Sequence, residues 1–164
     1  MTPADLVLTP MGLCFHGRRF ACSIGRGGLS GDKREGDGAT PRGTHTIVGG
    51  YYRADRIARP APWLDPIGPG DLWSDDPNSP TYNSHVRAPY SGSHEKLFRA
   101  DRLYDLVLVT DWNWPRPEPG RGSAIFLHRW RKPGHPTEGC IALAPHHLLW
   151  LTRRLQPGCR VIVA

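Results

Sequence analysis

Glycine and proline recur so closely along this chain that most apolar stretches between them are short, and that spacing limits the fold more than any other feature. There are 19 Gly and 17 Pro in 164 residues. Proline fixes φ and removes a backbone donor, while glycine admits the positive φ of tight turns, so the pattern disfavours a helical bundle and favours short strands joined by turns. LVLTP, GLCFHG and RRFACSIG read as an opening β-meander, and THTIVGGYY resumes as strand. YDLVLVTDWN carries the unbroken run Leu106–Val109 of a buried central strand, and SAIFLH, ending at His128, is a second buried candidate. One clear helix starts at Pro145. Leu148, Leu151 and Leu155 line one side of it, Arg153 and Arg154 fall in its last turn, and Pro157-Gly158 stops it. CRVIVA is a closing strand. The expectation is a mainly β chain with one C-terminal helix, a single domain over residues 1–164 and no repeat.

Two segments lack apolar periodicity. Arg26–Gly43 is rich in glycine and charge and reads as a mobile surface loop; it lacks the G-x-x-x-x-G-K-[ST] spacing of a phosphate cradle. Arg53–Arg99 is rich in Pro, Asp, Ser and Trp, a loop-rich excursion long enough to be functional or to wrap the core. The formal charge of +6 and pI near 9.5 favour an anionic partner: nucleic acid, a membrane surface or an acidic polymer. No nucleic-acid-binding module accompanies the scattered basic residues. No apolar run approaches the ~20 residues of a membrane span. The N-terminus, MTPADLVLTP, shows no signal peptide, which leaves a cytoplasmic chain or one exported by a route, or from a longer start, that the sequence does not display.

Cys140 stands directly after a glycine in the turn HPTEGCIAL, where a packing cysteine would sit inside an apolar run. Three readings compete: a packed thiol at a strand start, a metal ligand among His128, His135, His146 and His147, and a nucleophile with His128 as base. A nearby imidazole both removes a thiol proton and stabilises the thiolate. Gly139 leaves room for a substrate carbonyl, and its N–H with that of Cys140 could form an oxyanion hole. Cys14 and Cys22 flank a hairpin turn as a pair of half-buried thiols or a cross-strand disulfide.

Thr137-Glu138-Gly139-Cys140-Ile141, preceded by His128 at an I-F-L-H strand end, resembles the signature of the L,D-transpeptidase (YkuD-type) catalytic domain. Ala39-Thr40-Pro41-Arg42-Gly43-Thr44 is similar to the family's T-P-x-G hairpin, and Pro145 to Ile162 to its closing helix, glycine turn and strand. The segment from Asp32 to Asp105 is similar to a proteobacterial branch. Three positions depart from the pattern. Glu138 replaces a histidine two before the cysteine, Ala142 replaces Asn or Arg two after it, and Arg129 replaces a small residue after the base. A carboxylate at Glu138 would tend to raise the Cys140 pKa unless it turns away.

The resemblance implies packed mixed β-sheets and action on peptidoglycan stem peptides in the periplasm or cell envelope, by a monomer without metal or organic cofactor. Cys140 would be the nucleophile, His128 the general base and Gly139 a backbone oxyanion donor. Thr137, Glu138, Arg129, Arg53 and Arg56 would contact substrate, the last two as a carboxylate clamp; an Arg53–Asp55 ion pair holding the long loop is the competing role. Trp112, Trp114 and Trp130 bracket the site in sequence, as substrate wall or core. The implied reaction forms cross-links through a thioacyl-enzyme. The alternatives are an L,D-carboxypeptidase acting on the same stems and a catalytically silent peptidoglycan-binding domain.

Overall fold

Strand-forming sequence closes on itself in the computed structural model, which describes residues 2–164. The opening meander forms as expected: β1 (Leu6–Thr9), β2 (Gly12–Phe15) and β3 (Arg18–Phe20) pair antiparallel in order. Three short pieces follow: β4 (Cys22–Ser23), β5 (Leu29–Ser30) and β6 (Thr40–Pro41). The long β7 (Gly43–Tyr52) carries the short parallel edge piece β8 (Asp65–Pro66). Next come β9 (Asp71–Ser74), β10 (Ser84–Arg87), β11 (His94–Lys96), β12 (Leu106–Thr110), β13 (Phe126–Arg129) and β14 (Ile141–Leu143). Helix α1 (Pro145–Thr152) precedes the last strand, β15 (Arg160–Val163).

Ten strands form one mixed sheet, ordered β3-β2-β1-β15-β7-β12-β13-β14-β4 with β8 beside β7. The pairs β1/β15 and β13/β14 are parallel; β7 is antiparallel to both β15 and β12. The segment Arg53–Arg99 is more ordered than its composition suggests. It contains a three-stranded antiparallel sheet, β10-β9-β11. The pattern fails there because each strand spans only three or four residues and its polar side chains are satisfied locally, as His85 is by Asp71.

The main sheet buries a cluster on each face. Leu108, Leu127, Ile141 and Leu143 face one cluster, which α1 covers through Leu148 and Leu151, with Leu155 just beyond. Val107, Val109, Phe126 and Cys140 face the other, covered by Trp73, Leu97 and Tyr104. Period-two alternation explains the split, since Leu127 and Phe126 necessarily point opposite ways. The helix ends at Thr152, so Arg153 caps it and Arg154 lies past it. Asp5 clamps Arg160 with two bonds of 2.9 and 2.7 Å, joining the first strand to the last.

Candidate active site

His128 and Cys140 reach one place because β13 and β14 are parallel neighbours. The register sets Leu127 opposite Ile141 and His128 opposite Ala142, so Cys140 stands at the level of Phe126, on the same face as His128. Both side chains line a pocket of about 140 Å³ with Tyr104, Trp130, Arg131 and His135. His128 is buried, and its Nδ1–H donates to the Arg129 carbonyl at 2.7 Å. A carbonyl only accepts, so this bond fixes the tautomer and leaves Nε2 as the acceptor. The Tyr104 ring meets the imidazole edge-to-face at 5.4 Å.

Cys140 as a residue is 8% exposed. Its S–H donates to the Ala124 carbonyl (3.1 Å) and its sulfur accepts from the Phe126 N–H (3.4 Å). Among the described residues no hydrogen bond links it to the imidazole. Burial, then the nearby Glu95 carboxylate, push the Cys140 thiol up to about 12. Burial likewise pushes His128 down to about 4, against the Arg129 carbonyl bond that favours its protonated form. The resting pair is therefore neutral thiol and neutral imidazole, because a dry site penalises both charged forms.

The cysteine turn is built by Thr137. Its hydroxyl donates to the Cys140 carbonyl (2.6 Å) and accepts from the Gly139 N–H (3.1 Å). Gly139 holds φ +140, and a Cβ there would lie 2.8 Å from the Ala39 carbonyl. The Gly139 carbonyl accepts from the Thr40 hydroxyl at 2.8 Å. The Arg26–Gly43 loop is accordingly pinned against the cysteine turn, correcting its reading as a mobile surface loop. Arg26 N–H donates to the Thr137 carbonyl, and the Thr137 N–H to that of Ile24. Apolar periodicity could not show this, because backbone bonds and close glycine contacts hold the loop.

Glu138 lines the thiol pocket with Thr137, and its exposed carboxylate accepts from Arg26 Nε at 2.8 and 3.0 Å. The carboxylate that raises the thiol is Glu95, which accepts from the Tyr104 hydroxyl at 2.6 Å. The Arg129 side chain leaves on the other face toward Asp105 (3.8 Å), so only its carbonyl joins the site. Arg53 is buried, bonded to Asp55 and the Arg99 carbonyl and stacked on Phe98 at 3.6 Å. Arg56 holds Asp105 and three carbonyls of residues 99–101. Neither arginine lines the pocket; Arg53 joins the two ends of the excursion, and Arg56 ties its start to Asp105, just before β12.

Sequence reasoning gave no role to Tyr104, Glu95, Arg131 or Arg26. The LYD string around Tyr104 was the available signal. Trp130 lines the thiol pocket, Trp114 a separate cleft, and Trp112 packs edge-on to His45 with its N–H on the Arg121 carbonyl. His146 and His147 open α1, where His147 meets Phe20. Among the described residues no group of three or more His, Cys, Asp or Glu is placed to hold a metal ion. All four cysteines are free, Cys14 and Cys22 half-buried.

A cysteine and a tautomer-fixed histidine on adjacent parallel strands, facing one small pocket, define a candidate thiol acyl-transfer site. The chain matches the family model YkuD, the L,D-transpeptidase catalytic domain, over residues 16–163, and it belongs to that family. Among solved structures it is similar to an L,D-transpeptidase from Mycobacterium smegmatis, at 13% identity and a TM-score of 0.46 over 98% of this chain. The chain spans 57% of the length of that protein. Comparison with curated proteins gives no match. Among the described residues no helix is long and apolar enough to cross a membrane.

Proposed function

We propose that this protein is a peptidoglycan L,D-transpeptidase of the cell envelope, a monomer whose Cys140 forms a thioacyl intermediate with a stem peptide. The observation that carries the reading is the shared pocket of Cys140 and His128, with His128 Nδ1 committed to the Arg129 carbonyl and Nε2 left to take a proton. A donor carbonyl entering the pocket draws the sulfur from the Ala124 carbonyl toward Nε2; catalytic hydrogen bonds commonly tighten only with substrate bound. Sγ attacks the carbonyl carbon as its proton passes to Nε2, which gives a tetrahedral oxyanion and an imidazolium. The Cys140 N–H faces the oxyanion, and the Gly139 N–H joins it by leaving Thr137. The C–N bond to the terminal D-alanine breaks, and Nε2 returns the proton to the leaving amine. An acceptor amine then attacks the thioester with His128 as base, giving a cross-link and the free thiol; water in its place gives carboxypeptidase activity. The basic surplus of the chain and Arg131 at the pocket suit a substrate bearing carboxylates.

One observation favours the silent binding domain instead: the thiol is bonded to Ala124 rather than to His128. Intact-mass analysis after incubation with a stem tetrapeptide or a carbapenem separates the two. An acyl adduct on the parent, absent from Cys140→Ala, supports the enzyme; no adduct under any condition supports the binding domain.

A further inference from the structure

A second cleft, of about 340 Å³, opens on the same sheet face as the thiol pocket. Its floor is β7, where Gly49 and Gly50 interrupt a strand-forming run. A Cβ on Gly50 would strike Leu64 and the Val107 carbonyl at 2.6 Å, so core packing accounts for that glycine. A Cβ on Gly49 would meet nothing within 4 Å. Crowding therefore does not explain Gly49, and its φ lies outside the left-handed region. Gly49 borders a β-bulge, where the β7/β12 register skips Val48, and without a side chain it leaves the strand backbone open to the cleft.

The walls are aromatic. Trp114 is 49% exposed, Trp63 is half-buried, and Tyr51 lies stacked on His85 at 5.6 Å. At the inner end Trp73 meets Phe126 edge-on at 5.0 Å, and the Phe126 N–H contacts Cys140 Sγ, so one aromatic pair separates this cleft from the thiol. Asp65, which is exposed, and Tyr51, which is half-buried, add a carboxylate and a phenol to the lining. In a chain with six surplus positive charges, no Lys or Arg lines this cleft, whereas Arg131 lines the thiol pocket beside Glu138, whose carboxylate is engaged by Arg26. A carboxylate-rich peptide suits the pocket and not the cleft. A flat uncharged ring with apolar faces and peripheral hydroxyls suits the cleft, through stacking on indole and bonds to Asp65 and Tyr51.

We propose that this cleft binds a neutral sugar chain, the glycan strand of the polymer whose stem peptide reaches Cys140. The assignment to that polymer rests on the function proposed above; the chemistry of the cleft does not.

The test is calorimetric titration of the full chain with chitotetraose, a neutral N-acetylglucosamine oligomer, beside a free anionic stem tetrapeptide. Saturable binding is expected in the parent and in Cys140→Ala, and roughly tenfold weaker binding in Trp114→Ala and Gly49→Val, the loss of one stacked aromatic contact or its floor. Both substitutions spare the fold, since Trp114 is largely exposed and valine favours strands where the added Cβ has space. Cys140 acylation by a carbapenem is expected to be unchanged in both. No saturable heat with chitotetraose, equal binding by both variants, or Trp114-dependent binding of the tetrapeptide instead would each overturn the proposal. Chitotetraose binding without any Cys140 adduct would instead count against the thiol chemistry alone.

Discussion

At the scale of single residues, the acidity of Cys140 is set from inside the protein. Glu138, the nearest carboxylate in sequence, is engaged by Arg26, while Glu95 reaches the site from β11 through Tyr104. Removing the charge that raises the thiol should lower its pKa, and each unit multiplies the thiolate fraction about tenfold while the thiol remains mostly protonated. Glu95→Gln is therefore expected to speed alkylation of Cys140 by iodoacetamide at neutral pH, whereas Glu138→Gln leaves it unchanged. Equal effects of the two would refute this assignment. His128→Ala should slow acylation by about 10²–10⁴, the usual worth of a general base. Because burial holds the imidazole near 4, acylation should be level through neutral pH and decline only as pH falls toward that value.

Among the elements, the cysteine turn and the glycine-rich loop are one unit. Thr137 closes the turn, Thr40 and Arg26 hold it from the loop, and Gly139 passes where no side chain fits. Gly139→Ala puts a Cβ against the Ala39 carbonyl at a φ that only glycine adopts easily. It should cost about 1–3 kcal/mol of stability, read as a lower Tm, and slow acylation together with it. Much of this scale was legible beforehand. Leu106–Val109, the strand ending at His128 and the helix from Pro145 follow apolar periodicity and proline placement. The three-stranded sheet within residues 53–99 was not legible, because its strands are three or four residues long and mix buried Leu72 and Trp73 with polar side chains paired locally, as His85 is with Asp71. The roles of Tyr104 and Glu95 escaped for a related reason: their contact depends on how that sheet lies on the main one.

For the whole molecule, a buried neutral histidine makes stability depend on pH. His128 titrates near 4 when folded and near 6.5 when the chain unfolds, so between those values the unfolded chain binds more protons. Stability should fall as pH drops through that window and be insensitive to His128 above it. Thermal melts of the parent and His128→Gln test the sign, the variant losing less Tm across the window. Asp5 acts lower still. Arg160 holds its carboxyl down to about 2, so that clamp contributes above the ordinary carboxylate range and is lost as pH falls toward 2. The match over residues 16–163 places the chain in its family, and two parallel strands bring residues 128 and 140 to one pocket. The most direct measurement is the intact mass of the protein after exposure to a stem tetrapeptide. The account predicts a transient acyl adduct, mapped by peptide sequencing to Cys140 and absent from Cys140→Ala; an adduct elsewhere, or none while the fold and stem binding are intact, would contradict it.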